Sequence, residues 1–214
     1  MHLKKAASIC LLVFLVACAR EEHQQNPITD SVDPPEEMSH ELGPFFQAET
    51  AMFDEMLAAI GVSSDDSWVR MMIAHHEGGA AISRVMLQED PPPRIADLAK
   101  RITQAQEEAA DELQMLLRAG PLNVEGALIF LRPIQAMRLA IMAVDGSDVS
   151  EVWLRKMIEH HRGAIEMSDT LLAQRGIPEE VAGAVRRLRN EQRQNLTVLE
   201  RTLFDLNSER AAGS

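Results

Sequence analysis

From Phe45 onward the chain alternates between long stretches with apolar residues at helical spacing and short breaks rich in Gly, Pro, Ser and Asp. Phe45, Phe46, Met52, Phe53, Met56, Leu57 and Ile60 predict a first helix over 45–60, stopped by Gly61. Ser64 or Asp65 is the expected cap of a second helix, which runs to about Gln88 before the breaker Pro91-Pro92-Pro93. Ile95, Leu98, Ile102, Ala105, Ala109, Leu113, Leu116 and Leu117 predict a third, from about Arg94 to Arg118, closed by Gly120-Pro121. The pattern then begins again. A short helix, or two segments about Pro133, covers 124–144, and Asp145-Gly146 makes a turn. Ser147 or Asp148 caps a helix to about Arg175, and Gly176-Ile177-Pro178 stops it. A last helix runs from Glu179 to about Leu206, with fraying expected from Arg210 to Ser214.

The second run repeats the first. Trp68 to Gly78 matches Trp153 to Gly163, with His75-His76 falling on His160-His161 at an offset of 85 residues. Ala51-Met52 matches Ala136-Met137, and Ser83 matches Ser168. Short helix, His-His helix, long helix occurs twice, and a duplication of this kind sets the architecture. Two helical hairpins, neither able to bury its apolar side alone, are expected to pack as an all-α four-helix bundle with pseudo-twofold symmetry. Two additional short helices would cover its ends or side. The bundle is placed at 45–207, with repeat halves 45–120 and 124–206 and a frayed tail at 208–214. Composition agrees: hydrophobic residues make up 46% of the chain, enough for a core, while aromatics are only 4%, Tyr is absent and there are 12 Met.

The start has another character. Lys4 and Lys5 precede an apolar run from Ala6 to Val16, followed by Leu15-Val16-Ala17-Cys18. This is the layout of a secretory signal over residues 1–17, and the run is too short to span a bilayer, which takes ~20 residues. Leu-Val-Ala-Cys also resembles the lipobox of bacterial lipoproteins. That resemblance implies lipidation at Cys18, export, and anchoring on the periplasmic side of a membrane. With Ala19 next and no aspartate retention signal there, the outer membrane is favoured. An ordinary signal peptide with a chance Cys is the alternative. Residues 18–44, acidic and Pro-containing with no apolar period, read as a disordered tether. Loss of 1–17 would remove Cys10 and leave Cys18 as the last cysteine, so metal ligands must come from His, Met, Asp or Glu. The formal charge of −12 argues against a nucleic-acid partner.

Chemistry concentrates on the repeated face. Met72 precedes His75 and His76 by three and four residues, and Met157 stands in the same relation to His160 and His161, so each thioether shares a face with two imidazoles. Adjacent histidines point about 100° apart, so one of each pair can face the bundle seam while the other flanks it. Met167 lies two turns beyond His160, and Met71 four residues before His75. Imidazole takes copper, zinc, iron or nickel, and thioether selects Cu(I). Gly78, Gly79 and Gly163 lie inside helices, at about 1 kcal/mol each relative to Ala, and suggest close approach of the opposite repeat or a ligand. Buried histidines and methionines also serve as plain core. Trp68 and Trp153 read as core anchors, and Glu166 as a solvated residue or an added oxygen ligand. The residues three before the paired histidines are not acidic, so the Glu-x-x-His pattern of di-iron bundles is absent, and Ala80 stands where a zinc-protease helix needs its second His.

These residues resemble the domain of unknown function 305 family, whose hallmark is Met-Ile-x-His-His-x-Gly-Ala-Ile-x-Met, commonly present twice. Met157-Ile158-Glu159-His160-His161-Arg162-Gly163-Ala164-Ile165-Glu166-Met167 matches closely. In the first copy Gly79 replaces Ala, Ala80 replaces Ile and Ile82 replaces the final Met. The resemblance covers about Phe45 to Leu206. It implies a ferritin-like helical bundle, extracytoplasmic placement and, for some members, copper or silver binding, with no known reaction. The family's helix after each doublet often carries Gln-x-x-Glu, where this chain has Gln192-x-x-Asn195 in its second copy.

The expectation is a lipid-anchored metal-binding protein that sequesters or hands over copper-like ions, Cu(I) by preference and zinc or another transition metal otherwise. Met72, His75, His76, Met157, His160, His161 and Met167 are the ligand candidates. A second copy or a metal-transfer protein is the expected partner. The rivals are a structural or protein-interaction bundle of the envelope, and an uncharacterised metalloenzyme.

Overall fold

The computed structural model describes residues 43–213, so the signal segment 1–17, Cys18 and the tether up to residue 42 lie outside the described residues. It is all-α, with no strand among the described residues. The helices are α1 (Phe46–Ala58), α2 (Ser64–Gln88), α3 (Pro93–Gln114), α4 (Val124–Leu128), α5 (Leu131–Met142), α6 (Val149–Leu172) and α7 (Glu179–Gly213). None of them is long and apolar enough to cross a membrane.

The expected bundle forms from two hairpins, α2 with α3 and α6 with α7, joined chiefly through α2 against α6. α1 packs on α2, α5 packs on α6, and these two short helices touch each other. α3 and α7 meet only lightly. Trp68 and Trp153, at equivalent positions of α2 and α6, are fully buried and anchor the core with Phe45, Phe53 and Phe130.

The glycines set how closely the short helices approach. A Cβ on Gly78 would stand 2.3 Å from Met52 Cγ of α1, and one on Gly163 would stand 2.2 Å from Met137 Sδ of α5. The same contact is made twice at equivalent positions. The bare backbone of each His-His helix is the socket for a methionine of its short helix.

Several element ends differ from the sequence pattern. The cap of α2 is Ser63, one residue earlier than expected, with Asp66 N–H donating to its Oγ at 3.3 Å. The equivalent residue Asp148 caps α6. α3 stops at Gln114 instead of Arg118, although its apolar period continues. The strand of chain beyond is pulled onto the start of α2: Arg118 N–H donates to Asp66 Oδ1 at 2.9 Å, and its guanidinium pairs with Asp65. Arg70 and the amide of Val62 hold the other Asp66 oxygen. Burial works against the Asp66 charge, but these donors prevail and lower its pKa. The break between α4 and α5 falls at 129–130, and Pro133 sits within the first turn of α5, where its missing N–H costs nothing. α6 ends at Leu172 rather than Arg175. α7 continues to Gly213, past the point where fraying was expected, and Arg210 pairs with Asp148 and Glu151 at the start of α6.

One polar pair breaks the symmetry of the core. Lys156 on α6, only 8% exposed, places Nζ 2.8 and 3.0 Å from the two carboxylate oxygens of buried Glu49 on α1, and donates to the Ile141 carbonyl of α5 at 3.2 Å. Burial pushes the Glu49 carboxyl up, against the pull of Lys156. The equivalent positions in the other half carry Met71 and Ile134, both buried. The other half thus fills both positions with buried apolar side chains. Replacing one member of a buried ion pair strands the other charge, at about 3–5 kcal/mol, whereas replacing both with apolar groups of similar size is often neutral or stabilising. Urea denaturation should therefore show Lys156→Met destabilised by about 3 kcal/mol or more, and Lys156→Met/Glu49→Ile restored to within about 1 kcal/mol of the native chain or beyond it.

Candidate metal centre

The backbone of α2 and α6 carries both His doublets into the seam between them. His75, His76, His160 and His161 are all fully buried. His75 stacks on His160, ring centroids 3.7 Å apart and planes 17° apart. His76 and His161 flank the stack edge-on, 5.5 and 5.4 Å from their neighbours. The first histidine of each doublet therefore faces its equivalent across the seam, and the second lies to the side.

Each ring has at least one nitrogen held. His76 Nδ1–H donates to the Met72 carbonyl at 2.6 Å, and His161 Nδ1–H to the Met157 carbonyl at 2.7 Å. A carbonyl only accepts, so both rings carry their proton on Nδ1 and present a lone pair at Nε2. His75 Nε2–H donates to the His160 carbonyl at 3.2 Å, which leaves its lone pair on Nδ1. Two glutamines complete the cluster. Gln192 on α7 donates to His76 Nε2 at 3.1 Å, and Gln106 on α3 stands 3.1 Å from His160 Nε2. His75 Nδ1, His160 Nδ1 and His161 Nε2 are buried with no hydrogen-bond partner. Gln106 presents its amide nitrogen, which only donates, so His160 accepts at Nε2 and carries its proton on Nδ1.

All four imidazoles are neutral at pH 7. Burial pushes His76 and His161 down to about 4. It pushes His75 and His160 down further, and the neighbouring rings add to the effect. Neutral imidazole is the form that binds a metal. An unsatisfied buried donor or acceptor costs about 1–3 kcal/mol, so three such nitrogens in one cluster are an expensive arrangement for packing alone. The donor set fits a soft or borderline cation, although among the described residues no three His, Cys, Asp or Glu side chains stand assembled around one point.

Met72, Met157 and Met167 are fully buried, as is Met71 nearly so. The contacts that tie Met72 and Met157 to the histidines run through their backbone oxygens. Glu166 is exposed and cannot serve as the added oxygen ligand. Gln106 was not singled out by the sequence, although a signal existed: it is a polar residue on the stripe Ile102, Gln106, Ala109, Leu113. Gln192 stands at the same position counted from the start of its helix. Gly79, which departs from the family's Ala, has a reason here. A Cβ at Gly79 would stand 2.5 Å from His160 Nε2 and 2.9 Å from Gln106 Nε2, while the equivalent Ala164 is accommodated in the core.

The family description Domain of unknown function (DUF305) matches residues 17–117 and 133–203. The chain belongs to the DUF305 family. A solved structure, the crystal structure of a DUF305 fragment from Deinococcus radiodurans, aligns with a TM-score of 0.50 and 22% identity, over 68% of this chain and 99% of that one. At that identity the likeness concerns the fold alone. A comparison with curated proteins finds no match.

The neutral histidines make this DUF305 bundle acid-sensitive. A pKa lowered by folding means that the unfolded chain binds more protons below its ordinary value of about 6.5, so stability is complete above that pH and falls as pH drops toward 4. His76 and His161 should each contribute roughly 3 kcal/mol to that loss. Denaturation of the metal-free protein at pH 7.5 and at pH 4.5 should show a loss of several kcal/mol, reduced in His161→Leu; an unchanged stability would mean that the rings are charged or solvated.

Proposed function

We propose that this protein is a carrier of soft cations, Cu(I) by preference, held in the seam between the two repeats and sequestered or handed on rather than consumed in a reaction. The reading rests on one observation above all: ring nitrogens of both repeats, His75 Nδ1, His160 Nδ1 and His161 Nε2, lie buried in one cluster without partners. The cation would draw on the lone pairs of His75 Nδ1 and His161 Nε2 and on thioethers of Met72, Met157 and Met167, with His160 Nε2 and His76 Nε2 available once Gln106 and Gln192 turn aside. A monovalent ion adds one charge to an all-neutral pocket, a smaller desolvation cost than a divalent ion incurs, and thioether sulfur favours the softer ion. Export, lipid attachment at Cys18 and residence on the periplasmic side of the outer membrane belong to the same proposal and follow from the pattern of the first residues. That placement suits a cargo carrier working in metal tolerance, with a metal-transfer protein or a second copy as its partner.

A second reading has an observation of its own. The stacked pair His75 and His160, with the bonds to the Met72, Met157 and His160 carbonyls, also describes a polar joint between helices in a purely structural bundle. Anaerobic competition against a cuprous chelator separates the two. The native protein should bind Cu(I), and His75→Leu/His161→Leu, which keeps the volume of the core, should lose at least ~100-fold in affinity. Binding equal to native in a variant shown by circular dichroism to be folded, or no binding by the native protein, favours the structural joint.

A further inference from the structure

The buried cluster needs a way in, and one face of the bundle supplies it. Where α3 and α7 meet lightly, a cleft of 270 Å³ opens. His76, Gln106 and Gln192 line it, and so do Glu108, Glu112 and Glu191. The three carboxylates lie on exposed positions of two different helices. Glu191 feels Glu112: its carboxyl is pushed up chiefly by burial, with the pull of Arg187 against it and a smaller push from Glu112. Arg187 pairs with Glu112 and stands 3.7 Å from Glu191, so one guanidinium is shared by two carboxylates, and the lining of the cleft names three carboxylates and no cation. Glu108 accepts from Gln104 at 2.7 Å, which leaves its charge in place.

The two glutamines are a second, independent observation. They are 2% and 3% exposed. Each spends its amide nitrogen on an imidazole of the opposite repeat, Gln106 on His160 and Gln192 on His76. Each leaves Oε1 buried without a partner. A buried amide oxygen with no donor is costly, and at the inner end of a negatively lined cleft it is a neutral oxygen ligand presented to a cation.

We propose that this cleft is the port through which the cation reaches the histidines. Glu108, Glu112 and Glu191 draw the ion inward, and Gln106 and Gln192 form the gate. Their oxygens receive the ion, and their rotation uncovers Nε2 of His160 and of His76. This rests on the reading of the histidine cluster as a cation site, and adds the route and the residues that control it.

The test is the rate of uptake, with Cu(I) supplied anaerobically as its acetonitrile complex and the reaction quenched at intervals with a cuprous chelator. Glu108→Gln/Glu112→Gln/Glu191→Gln should slow uptake about 10-fold at low ionic strength and flatten its salt dependence, since a focused charge accelerates arrival by about 10-fold or more. A matched control exists away from the cleft, where Asp54, Glu55 and Glu125 are exposed on α1 and α4, neither of which lines it. Asp54→Asn/Glu55→Gln/Glu125→Gln changes the net charge equally and should leave the rate within about twofold at ~0.1 M salt, where screening confines the effect to roughly 10 Å. Arg187→Gln should speed uptake, and Gln192→Ala should speed both uptake and loss. If the port and control triple variants take up the ion at the same rate, the port is wrong while the site stands. If Gln192→Ala changes neither rate, the gate is wrong. If the native protein takes up no ion, port and site fall together.

Discussion

The molecule turns on the contact of His75 with His160. Among the described residues α2 and α6 make the chief contact between the two hairpins, and at their crossing they place two neutral imidazoles face to face. Both rings must be neutral for this to hold, because two imidazolium charges at that separation, out of water, would repel strongly. Burial ensures neutrality, and neutrality leaves lone pairs. The constraint that lets the repeats join is therefore the same one that makes their nitrogens available to a cation. The small residues of the same turn serve it too. Gly78 and Gly163 let the short helices close over the back of α2 and α6, and Gly79 makes room for the His160 ring.

The duplication is nearly symmetric in backbone and less so in chemistry. Equivalent glycines receive equivalent methionines, and equivalent caps start α2 and α6. Departures gather around the seam. Gln106 and Gln192 are equivalents, but one holds the first histidine of the opposite doublet and the other holds the second. His161 is thereby left without the amide that covers its counterpart His76. Lys156 and Glu49 stand where the other half has Met71 and Ile134. One half thus has a polar strut beside α1 and α5, and the other has buried apolar residues at the same positions. A cation at the seam would meet unlike surroundings on its two sides.

Much of this was legible in the sequence because it follows from periodicity and repetition. Helix positions, the hairpin pairing and the burial of both tryptophans come from apolar spacing and from the offset that superposes the doublets. The glycines inside helices pointed to close approach, and Met52 and Met137 are what approaches. The misread ends have local causes that no periodicity encodes. α3 stops early because Arg118 docks on Asp65 and Asp66 across the fold, and α7 persists because Arg210 reaches Asp148 and Glu151. Gln106 escaped notice because a single polar residue on an apolar stripe has no meaning until its partner, an imidazole from the other half of the chain, is known. Spacing assigns Met72 and Met157 to the helix face of the histidines, but the contact the structure shows between them and the rings is through the main chain, which spacing cannot reveal.

The account depends on the charge and the tautomer of four rings, and long-range nitrogen–proton correlation spectra of the imidazoles read both directly. In metal-free protein at neutral pH the spectra should show four neutral rings, with the proton of His76 and His161 on Nδ1 and that of His75 on Nε2. One equivalent of Cu(I) should then displace the resonances of His75 Nδ1 and His161 Nε2 together. Protonated rings in the metal-free protein, or spectra that do not change when the ion is added, would contradict the account.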